Sequence, residues 1–215
     1  MNRDAMQPVS GAEVQQVLER LVQQAPSAFD VDAADRAAVE AKAGAQASTY
    51  GEVLPAGIAP LARALGVQRD CVFADLGSGS GLVVFGMALL HPLAASVGIE
   101  LSRARHAAAQ ASLAQLKQDA PTVLLPRLES VRLLQGDLLD CDWHGCTHAF
   151  VAATCFPPAL LHALLTKARS TPTLRRIALT VPLPDAWRPA FSSVGHLPLP
   201  MTFSPRVKVH LYEPR

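Results

Sequence analysis

The feature that most constrains this chain is a glycine-rich turn at residues 75–81, Asp-Leu-Gly-Ser-Gly-Ser-Gly. Residues 71–75 before it have the length and composition of a buried strand, and residues 80–90 after it have those of a helix. Glycine adopts positive φ and lets the backbone pass close beneath a ligand. A strand, a glycine turn and a helix in this order predict a nucleotide-binding α/β sheet with the ligand at its carboxyl edge.

Strands and helices are predicted to alternate beyond this turn. Further strands are expected at residues 95–100, 130–135, 147–152 and 174–181, with helices at 102–117 and 158–169. This alternation predicts a doubly wound parallel sheet. Two strand-like runs, 191–197 and 205–212, follow without a helix between them and predict an antiparallel hairpin at the sheet edge. The expected fold class is therefore α/β, with a Rossmann-like seven-strand sheet.

The chain before residue 50 has a different character. Residues 11–24 carry an apolar stripe at helical spacing, and an alanine-rich helix is expected from Asp32 to about Ala47. We therefore divide the chain into an N-terminal helical segment, 1–49, and a single α/β domain, 50–215. A brace against the sheet is the favoured role for the helical segment, and a lid is the alternative.

Composition and charge exclude several function classes. The net charge is +1 and there is no run of Lys or Arg, so a nucleic acid partner is not expected. No leader-like apolar segment is visible, and the longest apolar stretch, 82–90, is too short to span a bilayer, so a cytoplasmic protein without a membrane partner is expected. Two Cys and two His crowd into residues 141–148, but their spacing is not that of a zinc site, and no metal is predicted.

The chemistry around the turn favours a cationic ligand. A nicotinamide-binding turn has the spacing Gly-x-Gly-x-x-Gly, whereas Gly77, Gly79 and Gly81 place the third glycine one residue early, and Ser78 lies between the first two. Asp75, two residues before the first glycine, is hostile to a diphosphate. It suits the amino group and sulfonium of S-adenosylmethionine. We therefore predict S-adenosylmethionine as cofactor, with S-adenosylhomocysteine as product.

Two further acidic residues end predicted strands in the order that this cofactor requires. Glu100 lies 19 residues after Gly81 at the tip of the next strand, where a carboxylate accepts both ribose hydroxyls. Asp137 ends the third strand and is expected to meet the adenine amino group, while Leu138 packs near the ring. The alternative is that these carboxylates only cap turns and helices.

Together these residues resemble the disruptor-of-telomeric-silencing (Dot-one-like) lysine methyltransferases, a family of class I methyltransferases. The resemblance covers roughly residues 48–182 and rests most on Tyr50-Gly51-Glu52, which in that family closes over the methionine part of the cofactor. It implies that Tyr50 and Glu52 line the site of the donor methyl group and hold the amino-acid end of the cofactor. It also implies a protein lysine as acceptor.

The chain departs from the family after the fourth strand. An Asn-Asn pair is replaced by Ala152 and Ala153, so Thr154, one residue later, is the candidate for the lost polar contact. Tyr50, Thr154 and Phe156 are the candidate catalytic residues on the acceptor side. A small-molecule acceptor and an inactive cofactor-binding module remain alternatives. Arg103, Arg105 and His106 are expected to form a solvated helix face.

Overall fold

Strands and helices alternate along the computed structural model, which describes residues 9–143 and 145–215. Its helices are α1 (Gly11–Gln24), α2 (Ala33–Ala43), α3 (Pro55–Leu65), α4 (Leu82–Leu90), α5 (Arg103–Asp119), α6 (Leu125–Leu128) and α7 (Pro158–Arg169). Its strands are β1 (Val72–Leu76), β2 (Ala95–Glu100), β3 (Val131–Gln135), β4 (His148–Val151), β5 (Arg176–Leu179), β6 (Phe191–Met201) and β7 (Ser204–Pro214).

The sheet has the strand order β3-β2-β1-β4-β5-β7-β6 among the described residues. Strands β1 to β5 are parallel, β7 is antiparallel to β5, and β6 is antiparallel to β7. This confirms the predicted fold, including its C-terminal hairpin. The strand order reverses at β1, which lies between β2 and β4, and this switch point is where ligands bind in open α/β sheets.

The larger half of the core lies around α4, which is buried along nearly its whole length. Gly86 makes this possible, because a Cβ there would lie 2.5 Å from Ile58 Cγ2 of α3. Leu18 of α1 is fully buried in the same cluster. Helix α1 therefore braces the sheet layer, as expected, and the division of the chain at residue 50 stays a prediction.

Two elements end elsewhere than predicted. Helix α2 ends at Ala43 and not near Ala47, because Gly44 leaves the helix with φ of +99°. Strand β6 runs to Met201 and not to 197, and it passes through Pro198 and Pro200. Proline is tolerated because β6 is an edge strand, so a missing N–H need not break the sheet.

Within the described ranges, no helix is both long enough and apolar enough to cross a bilayer.

Candidate functional site

The glycine turn is tied to the end of β2. The backbone N–H groups of Gly77 and Ser78 both donate to the Ile99 carbonyl, at 2.9 and 3.0 Å. Gly77, Gly79 and Gly81 have φ values of +94°, +53° and +82°, which side chains rarely adopt. The turn therefore depends on its glycines for its conformation, and it lies directly beside the end of β2.

Asp75 lies at the end of β1 and is 3% exposed. Its carboxylate accepts no hydrogen bond from any residue that the structure describes, and it lines a chamber of about 20 Å³ beside Glu52 and Ser78. Burial, together with the charge of Glu100, raises the pKa of Asp75 well above its usual range. A buried carboxylate without a partner is costly, and a cation in the chamber would offset that cost.

Glu100 ends β2 and lines a larger cavity of about 240 Å³. Its carboxylate accepts the N–H groups of Gly79 and Ser102, both at 2.8 Å, and it is 6% exposed. Burial raises the pKa of Glu100, while these two N–H groups and the charge of Arg105 oppose the rise. A carboxylate has about four lone-pair sites, so capacity remains for a diol.

Asp137 and Leu138 follow β3 and line the same cavity. Asp137 Oδ1 accepts the N–H of Leu139 at 2.8 Å, and Oδ2 lies 3.3 Å from Lys42 Nζ. Asp137 therefore does stabilise its own turn, as the alternative interpretation held. Leu138 is buried and presents an apolar wall to the cavity.

Tyr50 closes over the glycine turn. Its ring contacts Gly79 so tightly that a Cβ there would lie 2.1 Å from the phenol oxygen. The hydroxyl donates to the Glu52 carboxylate and accepts the N–H of Ser80 at 2.9 Å. Burial, and then the charge of Glu52, raises the pKa of Tyr50 well above its usual value. The phenol therefore stays protonated and lines the site, and it does not act as a base.

The tip of the β6–β7 hairpin forms a further wall that the sequence analysis missed. The N–H of Thr202 donates to the Glu52 carbonyl at 2.9 Å, and the side chain of Phe203 lies against Gly51. Met201 lines both the cavity and the chamber. The hairpin therefore fixes the Tyr-Gly-Glu segment from outside. Only the near-alternation of apolar residues in its two strands hinted at its length.

The segment after β4 supplies the remaining acceptor-side candidates. Thr154 lines the cavity, and its Oγ1 lies 2.9 Å from Thr180 Oγ1. Phe156 lines the same cavity, and its Cζ lies 3.8 Å from the position of a Cβ on Gly77. Ala152 lies between the cavity and the chamber. The structure thus brings all the predicted site residues to one edge of the sheet.

Helix α2 covers this site and is more than a brace. Val39 and Ala43 on one of its faces line the cavity. Its Asp35 accepts the Ser102 hydroxyl and the N–H groups of Arg103 and Ala104, at 3.1 and 3.3 Å for the two amides. The lid interpretation is therefore correct for α2, which is fastened to the N-terminus of α5.

Arg105 contradicts the expectation of a solvated face. It is 6% exposed, and its guanidinium lies 4.4 Å from the centre of the Tyr50 ring. It was misassigned because its burial depends on α2 and residues 28–50 folding over α5, which no local pattern in α5 reveals.

None of the described residues of the Cys/His run at 141–148 lines the cavity. Burial raises the pKa of the Cys146 thiol to about 12, and that thiol contacts the backbone of His148. His144 lies outside the described residues. In the described ranges, no three His, Cys, Asp or Glu side chains are grouped as a metal site.

Comparison with known families identifies the same region. The model of the family described as histone methylation protein DOT1 matches residues 35–164, more than half of the 215-residue chain. This match spans the Tyr-Gly-Glu segment, the glycine turn and the strand ends described above, and it confirms the resemblance. No protein with curated function matches the chain at a significant level.

Solved structures support the fold. A protein of Pyrococcus horikoshii described as a candidate RNA methyltransferase aligns with TM-score 0.57 at 14% identity, over 94% of this chain and 98% of its own. A glutamate-to-glutamine variant of MtNAS in complex with S-adenosylmethionine aligns with TM-score 0.55 at 14% identity, over 93% and 72%. The Escherichia coli protein yhhF, described as a candidate methyltransferase, gives 0.53 at 19%, over 73% and 85%. At these identities the likeness establishes the fold alone.

Proposed function

This chain belongs to the histone methylation protein DOT1 family, and from that premise we propose that it methylates the side-chain amine of a protein lysine. It is an S-adenosylmethionine-dependent methyltransferase. The proposal concerns the acceptor and the residues that hold cofactor and acceptor.

The environment of Asp75 is the observation that best supports the proposed position of the cofactor. Asp75 is a buried carboxylate without a described partner, facing a chamber beside the glycine turn. The cofactor's ammonium group would supply the missing partner there. The residues present fit this cofactor, because Asp75 can pair with its cationic amino group and because Gly77, which lines both cavity and chamber, has no atom closer than 3.8 Å to the position of a Cβ, so that a ligand can lie close to the backbone there.

The remaining contacts follow from the order of the strand ends. Glu100 would accept the ribose hydroxyls with the lone pairs that Gly79 and Ser102 leave free. Leu138 would pack on the adenine, and Asp137 would accept from its amino group beside Lys42. Tyr50 and Glu52 would cover the methionine end, as would Gly77 and Ser78 from below.

Bound S-adenosylmethionine supplies a methyl group already activated on a sulfonium, so the protein's task is alignment and exclusion of water. Tyr50 and Met201 line both cavity and chamber, and Phe156 and Phe203 line the cavity. Tyr50 keeps its proton and cannot serve as base. A lysine amine would therefore release its proton to solvent or to Glu52.

Lysine is favoured by the lining of the cavity as well as by the family. The lining residues outside the proposed cofactor contacts are mainly apolar: Val39, Ala43, Ala47, Leu160, Phe156 and Phe203. An aliphatic arm with an amine at its tip would bury its methylenes there and bring the nitrogen toward Glu52 and Thr154. The Thr154 hydroxyl, held by Thr180, is the polar group placed to replace the family's amide.

A small-molecule amine is the second candidate acceptor, and Ala152 carries it. Ala152 lines both cavity and chamber and stands where the family has the first Asn of its pair, while Ala153 replaces the second Asn, whose amide lies beside the lysine channel in that family. Without that amide, the site loses a directional contact for an extended lysine. A compact apolar amine that fills the cavity would need it less.

Transfer of label separates these acceptors. Purified protein and methyl-labelled S-adenosylmethionine would be incubated with host lysate, and label counted in protein, nucleic acid and small-molecule fractions. Label in protein, at lysine after hydrolysis, supports the proposal, and Asp75→Asn should abolish it. Label confined to small molecules or nucleic acid refutes lysine as acceptor. No transfer, with S-adenosylhomocysteine still bound, indicates a binding module.

A further inference from the structure

Arg105 is a buried cation that the cofactor contacts proposed above do not use. It is the third residue of α5, its backbone N–H donates to the hydroxyl of the N-cap residue Ser102, and it is 6% exposed. A buried guanidinium needs acceptors for its donors, since unpaired buried charge is costly. Where its donors go therefore indicates what it holds in place.

Its donors go to two separate stretches of backbone. The Nε–H donates to the Ala28 carbonyl at 3.4 Å, and an Nη donates to the Ser48 carbonyl. The guanidinium carbon lies 4.4 Å from the centre of the Tyr50 ring, in cation–π geometry. Arg105 thus fastens the stretch before α2 and the stretch after it to α5.

Both stretches converge on Tyr50. The Phe29 ring, one residue after Ala28, meets the Tyr50 ring edge-on with centroids 4.9 Å apart. The Tyr50 ring in turn contacts Gly79, and its hydroxyl accepts the N–H of Ser80. Moving the guanidinium would release the ring from the side opposite to these contacts.

We infer that Arg105 is a positioning residue that holds Tyr50 closed over the methionine end of the cofactor site. The inference rests on the proposed cofactor placement, in which the amino-acid end lies beneath Tyr50 and the adenosine end lies against Glu100 and Leu138. Arg105 acts on the first end through Tyr50. Arg105 also lines the larger cavity and its charge acts on Glu100, but Glu100 keeps its two backbone donors without it.

Two ligands that share one end of the cofactor distinguish this role from general support of the fold. S-adenosylhomocysteine carries the amino-acid tail, whereas 5′-methylthioadenosine has the same adenosine and thioether without it. Calorimetry would compare wild type, Arg105→Met and Arg105→Lys. Loss of a cation–π contact and charged hydrogen bonds predicts at least about tenfold weaker S-adenosylhomocysteine binding for Arg105→Met. Methylthioadenosine affinity should change less than about threefold, because Glu100 keeps its donors.

The conservative variant and a matched control complete the experiment. Arg105→Lys keeps the charge but loses the planar stack, so its loss should fall between wild type and Arg105→Met. Arg176→Met removes another arginine that donates to backbone, at Ala64, but it lies at the amino end of β5, opposite to the carboxyl ends that form the site, and should leave both affinities unchanged. Where Arg105→Met does not fold, Arg105→Lys with the same two ligands carries the test.

Equal losses for the two ligands would overturn the inference, since Arg105 would then support the whole site. Unchanged binding of both would overturn it too. Failure of wild type to bind S-adenosylhomocysteine would instead refute the proposed cofactor site.

Discussion

Replacing Asp75 with Asn should move stability and cofactor affinity in opposite directions. Asn keeps the shape and removes the charge from a carboxylate that is 3% exposed and has no hydrogen-bond donor among the described residues. Unliganded Asp75→Asn should therefore be at least as stable as wild type, because burial beside Glu100 disfavours the ionised Asp75 carboxyl, whereas Asn carries no charge to bury. The bound ammonium would lose its anionic partner.

The size of that loss follows from the strength of a charged hydrogen bond. Removing one charged hydrogen bond weakens the binding free energy by about 1.5–3 kcal/mol, which raises the dissociation constant of S-adenosylhomocysteine roughly 10- to 150-fold. Titration calorimetry gives the affinity, and urea unfolding without ligand gives the stability. Asp70→Asn is the matched control, since Asp70 is exposed with φ of +64°, which Asn tolerates.

The result that refutes this reasoning is specific. The reasoning fails if Asp75→Asn lowers the free energy of unfolding and leaves the affinity for S-adenosylhomocysteine unchanged. Asp75 would then stabilise the fold and would not bind the cofactor. Its place in the cofactor site would then be wrong.

Three further substitutions test other parts of the account. Gly79→Ala should weaken S-adenosylhomocysteine binding at least about tenfold by displacing Tyr50, whereas Gly145→Ala, with φ of +77° and no neighbour within 4 Å, should cost only about 1 kcal/mol of stability and no affinity. Burial, with Arg176 and Arg175 nearby, lowers the pKa of His148 to about 4, so the unfolded chain binds a proton that the folded chain does not. Its contribution of up to about 3 kcal/mol is complete above pH 6.5 and is lost as pH falls toward about 4, and a urea-unfolding profile of His148→Gln that matched wild type would contradict this. Lys42→Met should change the free energy of unfolding by less than about 1 kcal/mol, because the Lys42 side chain is 51% exposed where it pairs with Asp137 and Asp140; a larger loss in urea unfolding would show that these pairs hold α2 down.

The parts of the site that the sequence predicted are those governed by local pattern. Asp75, Glu100 and Asp137 each follow a short apolar run, and parallel strands bring their carboxyl ends to one edge. The positive φ values at Gly77 and Gly79 are by themselves enough to require glycine there. Such residues can be assigned before any tertiary contact is known.

The parts that were missed depend on contacts far apart in the chain. The burial of Arg105 comes from Ala28 and Ser48, each more than fifty residues away. The end of β6 was set too early because Pro198 and Pro200 usually break strands, yet pairing with β7 and with the Leu54 segment carries the strand through them. Neither outcome is encoded in a window of neighbouring residues.

The central claim is that the cofactor lies across the carboxyl ends of β1, β2 and β3. A crystal structure of the complex with S-adenosylhomocysteine tests it most directly. We expect the ligand's amino nitrogen about 3 Å from the Asp75 carboxylate and its ribose hydroxyls at the same distance from Glu100. We also expect its adenine to pack on Leu138. A ligand whose ribose lies away from Glu100, or whose amino group turns away from Asp75, would contradict the claim.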